Sequence, residues 1–286
     1  MSRRLDIGIA SYGASLKLAR TLSTLRDTAQ TDWRCFIIDN PGPDPSTRDV
    51  IAEFSRMDRR FVPILLDANV GYAGAVSRLF ELAETDCIAY SDNDVMFCTP
   101  GWDDILCSYL DRGSELGIVF PNTGAAPIDR GSYTEVMWAA GFCWVLRRAC
   151  MAEVGPFDTS IGHQEEADYC LRVRMAGWRC AAAGEAQVVH DATATNDESS
   201  NERITRGVIN FVNKWSRYFG GRNLSYDSPN PLRWEDWPPN ALYMEEYWLA
   251  KYPGLNSSPE VVRDGNFDYD LIRVPRRAVY YRGRII

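Results

Sequence analysis

The feature that most limits what this chain can fold into is an alternation. Four apolar runs, LDIGIAS (5–11), WRCFIIDN (33–40), FVPILLD (61–67) and CIAYSD (87–92), are separated by three helical stretches. The first helical stretch, SLKLARTLSTLRDTA (15–29), repeats apolar residues at Leu16, Ala19, Leu22 and Leu25, the spacing of one helix face. Ser46 is a natural opener for a second helix running through Met57. GYAGAVSRLFELAE (71–84) makes a third after a glycine-rich start. Parallel neighbours need a crossover long enough to hold a helix, so a β-α-β-α-β-α-β order predicts a parallel sheet covered on both faces. Downstream, LGIVFPN (116–122), MWAAGFCWVLRR (137–148) and AQVVH (186–190) read as further strands. EEADYCLRVRMAG (165–177) reads as a helix with Ala167, Cys170, Leu171 and Arg174 on one face and Gly177 as its C-cap. DATATNDESSNER (191–203) is polar and aperiodic, the pattern of a mobile loop, and ITRGVINFVNKWSRYF (204–219) is an amphipathic helix. From Gly220 onward proline and tryptophan dominate.

Ligands of parallel α/β sheets sit beyond the carboxyl ends of the strands. Here those ends carry Ser11 and Tyr12, Asp39 and Asn40, Asp67 and Asn69, then Asp92 and Asp94. Each alone is ordinary turn chemistry. Four successive strands ending in this way point to a shared polar site. The segment SDND (91–94) is the most demanding of them. Two carboxylates at the end of an apolar strand are costly unless a cation meets them.

Composition narrows the classes. Of 286 residues 45% are hydrophobic and 24% charged, enough for a sizeable core in one large domain or one domain with an extension. The formal charge is 31 − 39 = −8, which disfavours general binding of nucleic acid or anionic membrane. The last sixteen residues run against that balance, with five arginines and no acid. The eight cysteines form no C-x-x-C pair and several lie in apolar runs, so reduced, buried thiols are expected rather than zinc or a disulfide framework. No run approaches the roughly 18 apolar residues of a membrane helix. The N-terminus reads as a first strand rather than a signal peptide. A cytoplasmic location is therefore expected.

Taken in order, IASYGAS, IIDN, NVGYAGAVSRLFELA, SDND, GFCWVLRRACMAEVGPFD, EEADYCLRVRMAGW and VVH span residues 5 to 190. This ordered set resembles the family 2 glycosyltransferases of the GT-A fold. The resemblance implies a Rossmann-like α/β domain, with a mostly parallel central sheet and helices on both faces, over residues 1–195. Residues 196–286 are then a mainly helical or irregular extension, a lid and acceptor-binding region. It implies a metal-dependent transfer of sugar from a nucleotide-sugar donor to an acceptor hydroxyl, with inversion. It also implies Mn²⁺ or Mg²⁺, hard cations that prefer carboxylate oxygen.

By the same resemblance Asp94 and His190 ligate the metal, with Asp92 toward the ribose or a metal-bound water. Ala10, Ser11, Tyr12 and Asp39 line the nucleoside. Asn69, Gly71, Gly74, Asn93 and, facing either phosphate or solvent, Arg78 complete the donor-nucleotide side. Glu166 is the base that deprotonates the acceptor, with Glu165 a competitor because the family more often has aspartate at the second position. Gly141 borders the donor sugar and acceptor. Trp234 and Trp237, in a proline-rich stretch that cannot continue a helix, are candidates for the acceptor surface. A UDP-, GDP- or dTDP-sugar fits as donor. A saccharide, lipid carrier, protein, natural product or modified nucleic acid all remain open as acceptor. Two other readings use similar parts: a nucleotidyltransferase that makes a nucleotide-sugar, and a non-catalytic nucleotide-sugar-binding module. The chain shows no basic glycine-rich triphosphate loop near its N-terminus, against the first.

Overall fold

The structure, a computed structural model, describes residues 4–122, 133–136 and 139–191, helical positions 207, 210, 211 and 214, and strands at 260–264, 269–274, 278–281 and 284–285. The first half follows the alternation. Strands β1 (Arg4–Ser11), β2 (Asp32–Asp39), β3 (Phe61–Leu65) and β4 (Cys87–Asp92) lie parallel in the order β3-β2-β1-β4. Helices α1 (Ser15–Thr28), α2 (Thr47–Met57) and α3 (Gly71–Leu82) make the crossovers. Helix α3 packs directly on β1 and β2. A Cβ built at Gly8 would sit 2.4 Å from Leu79 of α3. Ile7 and Ile9 point to the opposite face by strand alternation and are fully buried. Both faces of the sheet are therefore covered. On α1 the buried stripe is Leu18, Thr21, Leu22 and Leu25. Leu16, expected in that stripe, is 82% exposed, because the true face starts two residues later.

The second half mixes directions. Its elements are β5 (Val95–Phe97), α4 (Trp102–Arg112), β6 (Leu116–Asn122), β7 (Tyr133–Val136), β8 (Cys143–Arg147), α5 (Arg148–Val154), α6 (Glu165–Met175) and β9 (Arg179–His190). They extend the sheet as β4-β8-β6-β9-β5, with β7 also paired to β9. Strand β8 runs antiparallel to β4 and β6, β6 runs parallel to β9, and β5 runs antiparallel to β9. Two expected strands have different bounds. Among the described residues of the run at 137–148 the strand covers Cys143–Arg147, and Arg148, the last residue of the run, already opens α5. The last strand starts at Arg179 rather than 186. Its alanines, weak formers of isolated strands, are fully buried at Ala181, Ala182 and Ala183.

Beyond residue 196 the described residues include strands β10 (Glu260–Asp264), β11 (Tyr269–Val274), β12 (Ala278–Tyr281) and β13 (Arg284–Ile285), in one antiparallel sheet. These strands are elements that the sequence reading did not foresee in the extension. EVVRD, YDLIRV and AVYY are rich in the β-branched and aromatic residues that favour strands. The division at 195/196, the loop at 192–202 and both Trp234 and Trp237 lie outside the described residues. No helix among the described residues is long and apolar enough to cross a membrane. Seven of the eight cysteines are buried as free thiols, and Cys98 is exposed.

Carboxylates anchor the end of the sheet opposite the strand carboxyl ends. Asp6 is fully buried and accepts Arg34 Nε at 3.0 Å, Arg34 Nη2 at 3.1 Å and the Glu84 amide at 2.7 Å. Asp103 is fully buried on α4 and ties down the α1–β2 turn. It accepts the Gln30 amide at 3.0 Å, the Thr31 amide at 2.8 Å and the Thr31 hydroxyl at 2.6 Å. Hydrogen bonds to a charged group contribute about 1.5–3 kcal/mol each and are not additive. Asp103→Ala is therefore expected to lower the unfolding free energy by about 2–4 kcal/mol, read from urea denaturation. A loss below about 0.5 kcal/mol would show that this turn holds without it.

Candidate active site

The site begins where β4 ends. Asp92 closes β4, and Asn93 and Asp94 form the turn into β5. Val95 then pairs with His190, at the end of β9, and the Asp191 amide donates to the Asp94 carbonyl at 3.0 Å. This pairing sets His190 Nε2 3.2 Å from Asp94 Oδ1 and 3.8 Å from Asp92 Oδ2. One ligand atom from each of Asp92, Asp94 and His190 lies within 4.8 Å of the others. Although near His190, Asp94 Oδ1 is not aligned with it as a hydrogen bond and is buried with no hydrogen-bond partner. Two carboxylates, one imidazole and an orphaned buried oxygen suit a divalent cation. The Phe142 ring stacks on His190 at 5.1 Å between centroids.

Asp92 sits where its charged form is disfavoured. Burial drives its pKa up to about 7; Asp94 and Glu166 push the same way, while His190 and a hydrogen bond from the Tyr90 hydroxyl oppose the shift. A bound cation inverts such local logic and favours the carboxylate.

The ends of three strands meet here. Ala10 is the register partner of Asp92, and Ser11 of Asp39. Ser11 is fully buried and Tyr12 is 44% exposed. Asn93 Nδ2 donates to the Gly13 carbonyl at 2.9 Å and lies 3.4 Å from Ser11 Oγ, which ties the β4–β5 turn to the loop after β1. Asp39, buried, accepts Arg48 Nε at 2.7 Å. The loop into α3 is held by its own amides: Gly71 N donates to Asn69 Oδ1 at 2.8 Å and Val70 N to Asn40 Oδ1 at 2.8 Å. Gly71 has a φ of 74°, a region that favours glycine. Gly74 lies against the Val70 side chain. Arg78 is exposed and pairs with Glu81 on its own helix. The structure thus gathers Ala10, Ser11, Asp39, Asn93, Asp92, Asp94 and His190, and leaves Arg78 on the outside of α3.

Glu165 and Glu166 open α6. Glu165 is buried and Glu166 half-buried. A Cβ on Gly141 would lie 3.0 Å from Glu166 Cβ and Cγ, so Glu166 packs against bare backbone. Burial raises the Glu166 pKa above its ordinary value.

Two tyrosines that the sequence reading passed over join the halves. Tyr72 donates to the Gly141 carbonyl at 2.9 Å and its ring meets the Tyr90 ring edge-on, 5.8 Å between centroids. Tyr90 donates in turn to Asp92. Burial pushes both phenols up, with Asp92 adding to the shift, so they act as neutral donors. A signal for Tyr90 existed: two residues before Asp92 on one strand, it must share that residue's face. Lys17 was also missed; its Nζ donates to the Asp191 carbonyl at 2.7 Å, beside His190.

Comparison with known proteins adds family to geometry. Residues 6–155 match the sequence profile of glycosyl transferase family 2. A protein of Bacillus subtilis (strain 168), named as a teichuronic acid biosynthesis glycosyltransferase, TuaG, is 29% identical over 84 residues, which are 29% of this chain and 33% of that protein. The match spans about a third of that relative's length. The mannosyltransferase PcManGT from Pyrobaculum calidifontis, solved with GDP-Man and Mn²⁺, superposes with a TM-score of 0.62 at 13% identity, covering 87% of this chain and 71% of that one. Residues 1–349 of S. aureus TarS, solved with UDP, superpose at 0.54 with 12% identity, covering 73% and 66% respectively. At these identities the likeness shows the fold, which is the GT-A fold.

Proposed function

Because the chain belongs to glycosyl transferase family 2, we propose that it transfers a sugar from a nucleoside-diphosphate donor to an acceptor hydroxyl, with inversion at the anomeric carbon. The observation that carries this reading is the meeting of Asp92, Asp94 and His190 at the strand ends, with Glu166 packed against Gly141 and near enough to raise the Asp92 pKa. Neighbours of the same fold were solved with GDP-Man and Mn²⁺ and with UDP, so a UDP-, GDP- or dTDP-sugar is the donor class. Asp94 and His190, with Asp92, would hold Mn²⁺ or Mg²⁺. The cation would offset the charge that builds on the departing diphosphate.

The residues of the chain do the rest. Ala10, Ser11, Tyr12 and Asp39 border the nucleoside, with Arg48 holding the Asp39 carboxylate in place. Asn69, Gly71 and Gly74 form the loop and first turn of α3 on the donor side, and Asn93 fixes the turn beneath the diphosphate. Glu166 takes the proton of the acceptor hydroxyl as that oxygen bonds to the anomeric carbon. The bond from that carbon to the diphosphate breaks on the opposite face, and its electron pair leaves with the nucleotide. Burial helps here, since a base with a pKa nearer neutrality is stronger. Gly141 borders the reacting sugar, and the extension from residue 196, with Trp234 and Trp237, selects the acceptor. A cytoplasmic location belongs to this reading, since seven buried free thiols suit a reducing compartment.

Two outcomes test the reading. Isothermal titration of UDP and GDP in Mn²⁺ should show nucleotide binding that EDTA removes. Asp94→Ala should weaken it at least about tenfold, as expected for loss of a metal ligand, and His190→Ala should do so more mildly. Binding unaffected by EDTA and by both variants would overturn the metal assignment. For the base, nucleotide release from a panel of UDP-, GDP- and dTDP-sugars should fall about 10²–10⁴-fold in Glu166→Gln, with nucleotide affinity unchanged. The wild-type rate should drop as pH falls through the Glu166 pKa, because only the carboxylate accepts a proton. That limb should lie above the ordinary carboxylate range, as burial raises the pKa. Collapse in Glu165→Gln with Glu166→Gln intact would move the role to Glu165.

A further inference from the structure

The loop that delivers Glu165 and Glu166 is conformationally demanding. Gly162 has a φ of 76°, and Gln164, directly before α6, has a φ of 71°. A left-handed residue other than glycine costs about 1–2 kcal/mol. Gln164 is nevertheless 9% exposed and closely surrounded. Something outside the loop must hold it.

The described residues at 207–214 sit against this loop. Gly207, Asn210, Phe211 and Lys214 are helical, and their spacing of three, four and seven puts them on one face. At Gly207 the two backbones touch: a Cβ there would lie 2.3 Å from His163 Cβ and 2.4 Å from His163 N. Asn210 Nδ2 donates to the Ser160 carbonyl at 2.9 Å and the Ile161 carbonyl at 3.2 Å. Phe211 is buried. Lys214 Nζ lies 2.6 Å from Asp158 Oδ2 and 2.6 Å from Asp168 Oδ1. It therefore joins the start of the loop to the first turn of α6. Asp168 is fully buried and also receives Arg172 Nε at 2.9 Å. Burial favours the neutral acid at Asp158, yet hydrogen bonds from Lys214 and Ser160 hold it down at about 2.

We propose that this helix face is a brace for the loop that presents the catalytic base, and that Lys214 is a positioning residue acting through Asp168 and Asp158. The proposal rests on the assignment of Glu166 as the base. Lys214 touches neither the metal-type cluster nor Glu166 in these contacts. Its effect is to fix both ends of the turn from which Glu166 projects. Three carboxylates, Glu165, Glu166 and Asp168, share the first turn of α6. Lys214, with Arg172, neutralises the fully buried Asp168, so that this charge does not bear on the half-buried Glu166. It also lies outside residues 6–155, which match the family profile, so the family pattern assigns it no role.

Hydrogen exchange of the full chain, without ligand, is the first test. Lys214→Met should speed exchange across residues 158–168 and leave β1 and β4 unchanged. Nucleotide release from the sugar-nucleotide panel should show kcat reduced about 10- to 100-fold, the scale of a small misplacement of a catalytic group. Donor KM and UDP or GDP affinity should stay within about twofold of wild type, and Lys214→Arg should restore most of kcat. Unchanged exchange with wild-type kcat would overturn the brace, as would losses shared equally by nucleotide affinity and β1. If Lys214→Met fails to fold, Asn210→Ala removes only the two carbonyl contacts and should give the same split; a wild-type result there overturns it. Wild-type turnover in Glu166→Gln removes the base reading, and exchange then decides the brace alone. Loss of turnover in Glu166→Gln with wild-type kcat in Lys214→Met sinks only the brace.

Discussion

The three-residue pairing of β5 with β9 is the contact on which the site depends. Met96 opposes Val189 and Phe97 opposes Val188, so that Val95 must oppose His190. Strand side chains alternate, and a slip of one residue would turn His190 to the other face, away from Asp94. A strand this short cannot hold its own register. Neighbours hold it: the Phe97 ring stacks on Trp102 of α4 at 4.3 Å, its amide donates to Thr24 of α1 at 3.2 Å, and the Cys98 amide donates to the Gln187 carbonyl at 3.0 Å. Lys17 clamps the far side through Asp191. The polar cluster thus inherits its geometry from an apolar stack below it.

The two ends of the sheet treat buried carboxylates in opposite ways. At one end Asp6 and Asp103 have their oxygens filled by a guanidinium, amides and a hydroxyl. At the other, Asp94 keeps a buried oxygen without a hydrogen bond, and Asp92 is pushed up to about 7. Carboxylates of the first kind stabilise the fold. Those of the second kind carry an electrostatic cost that the proposed cation would offset. The same residue type therefore serves structure or chemistry according to what surrounds it, and the surroundings differ at the two ends of one strand order.

The half of the fold with strict alternation was legible because each strand and helix there carries its own period. The elements that escaped lack one. VMF at 95–97 is too short to alternate, RCAAAGE reads as no strand until β6 pairs with its alanines, and Leu16 lies two residues before the face that the packing selects. The residues of the cluster were legible from strand ends and from the family pattern together. Their partners were not, since Tyr72, Arg48 and Lys17 meet the site only through tertiary contacts. Asp39 shows the difference: its place at the end of β2 follows from the sequence, whereas its pairing with Arg48, nine residues on, follows from how α2 returns to the sheet.

The Asp92–Asp94–His190 cluster and the proposed base come from different elements of the chain. The carboxylates at 92 and 94 lie within the family-matched region, while Glu166 projects from α6 after it, on a loop touched by residues still later in sequence. The proposed chemistry would require two such parts to be registered to within a fraction of an ångström. The Tyr72–Tyr90 ring contact supplies a direct link, since Tyr72 donates to the Gly141 carbonyl, against which Glu166 packs, and Tyr90 donates to the Asp92 carboxylate. Phenols suit that role because burial keeps them neutral, so they transmit position without adding charge to a cleft that already holds several carboxylates. A charged linker would bind the carboxylates themselves and compete with the proposed cation. The choice of tyrosine at both positions therefore follows from the same electrostatics that leave Asp94 open.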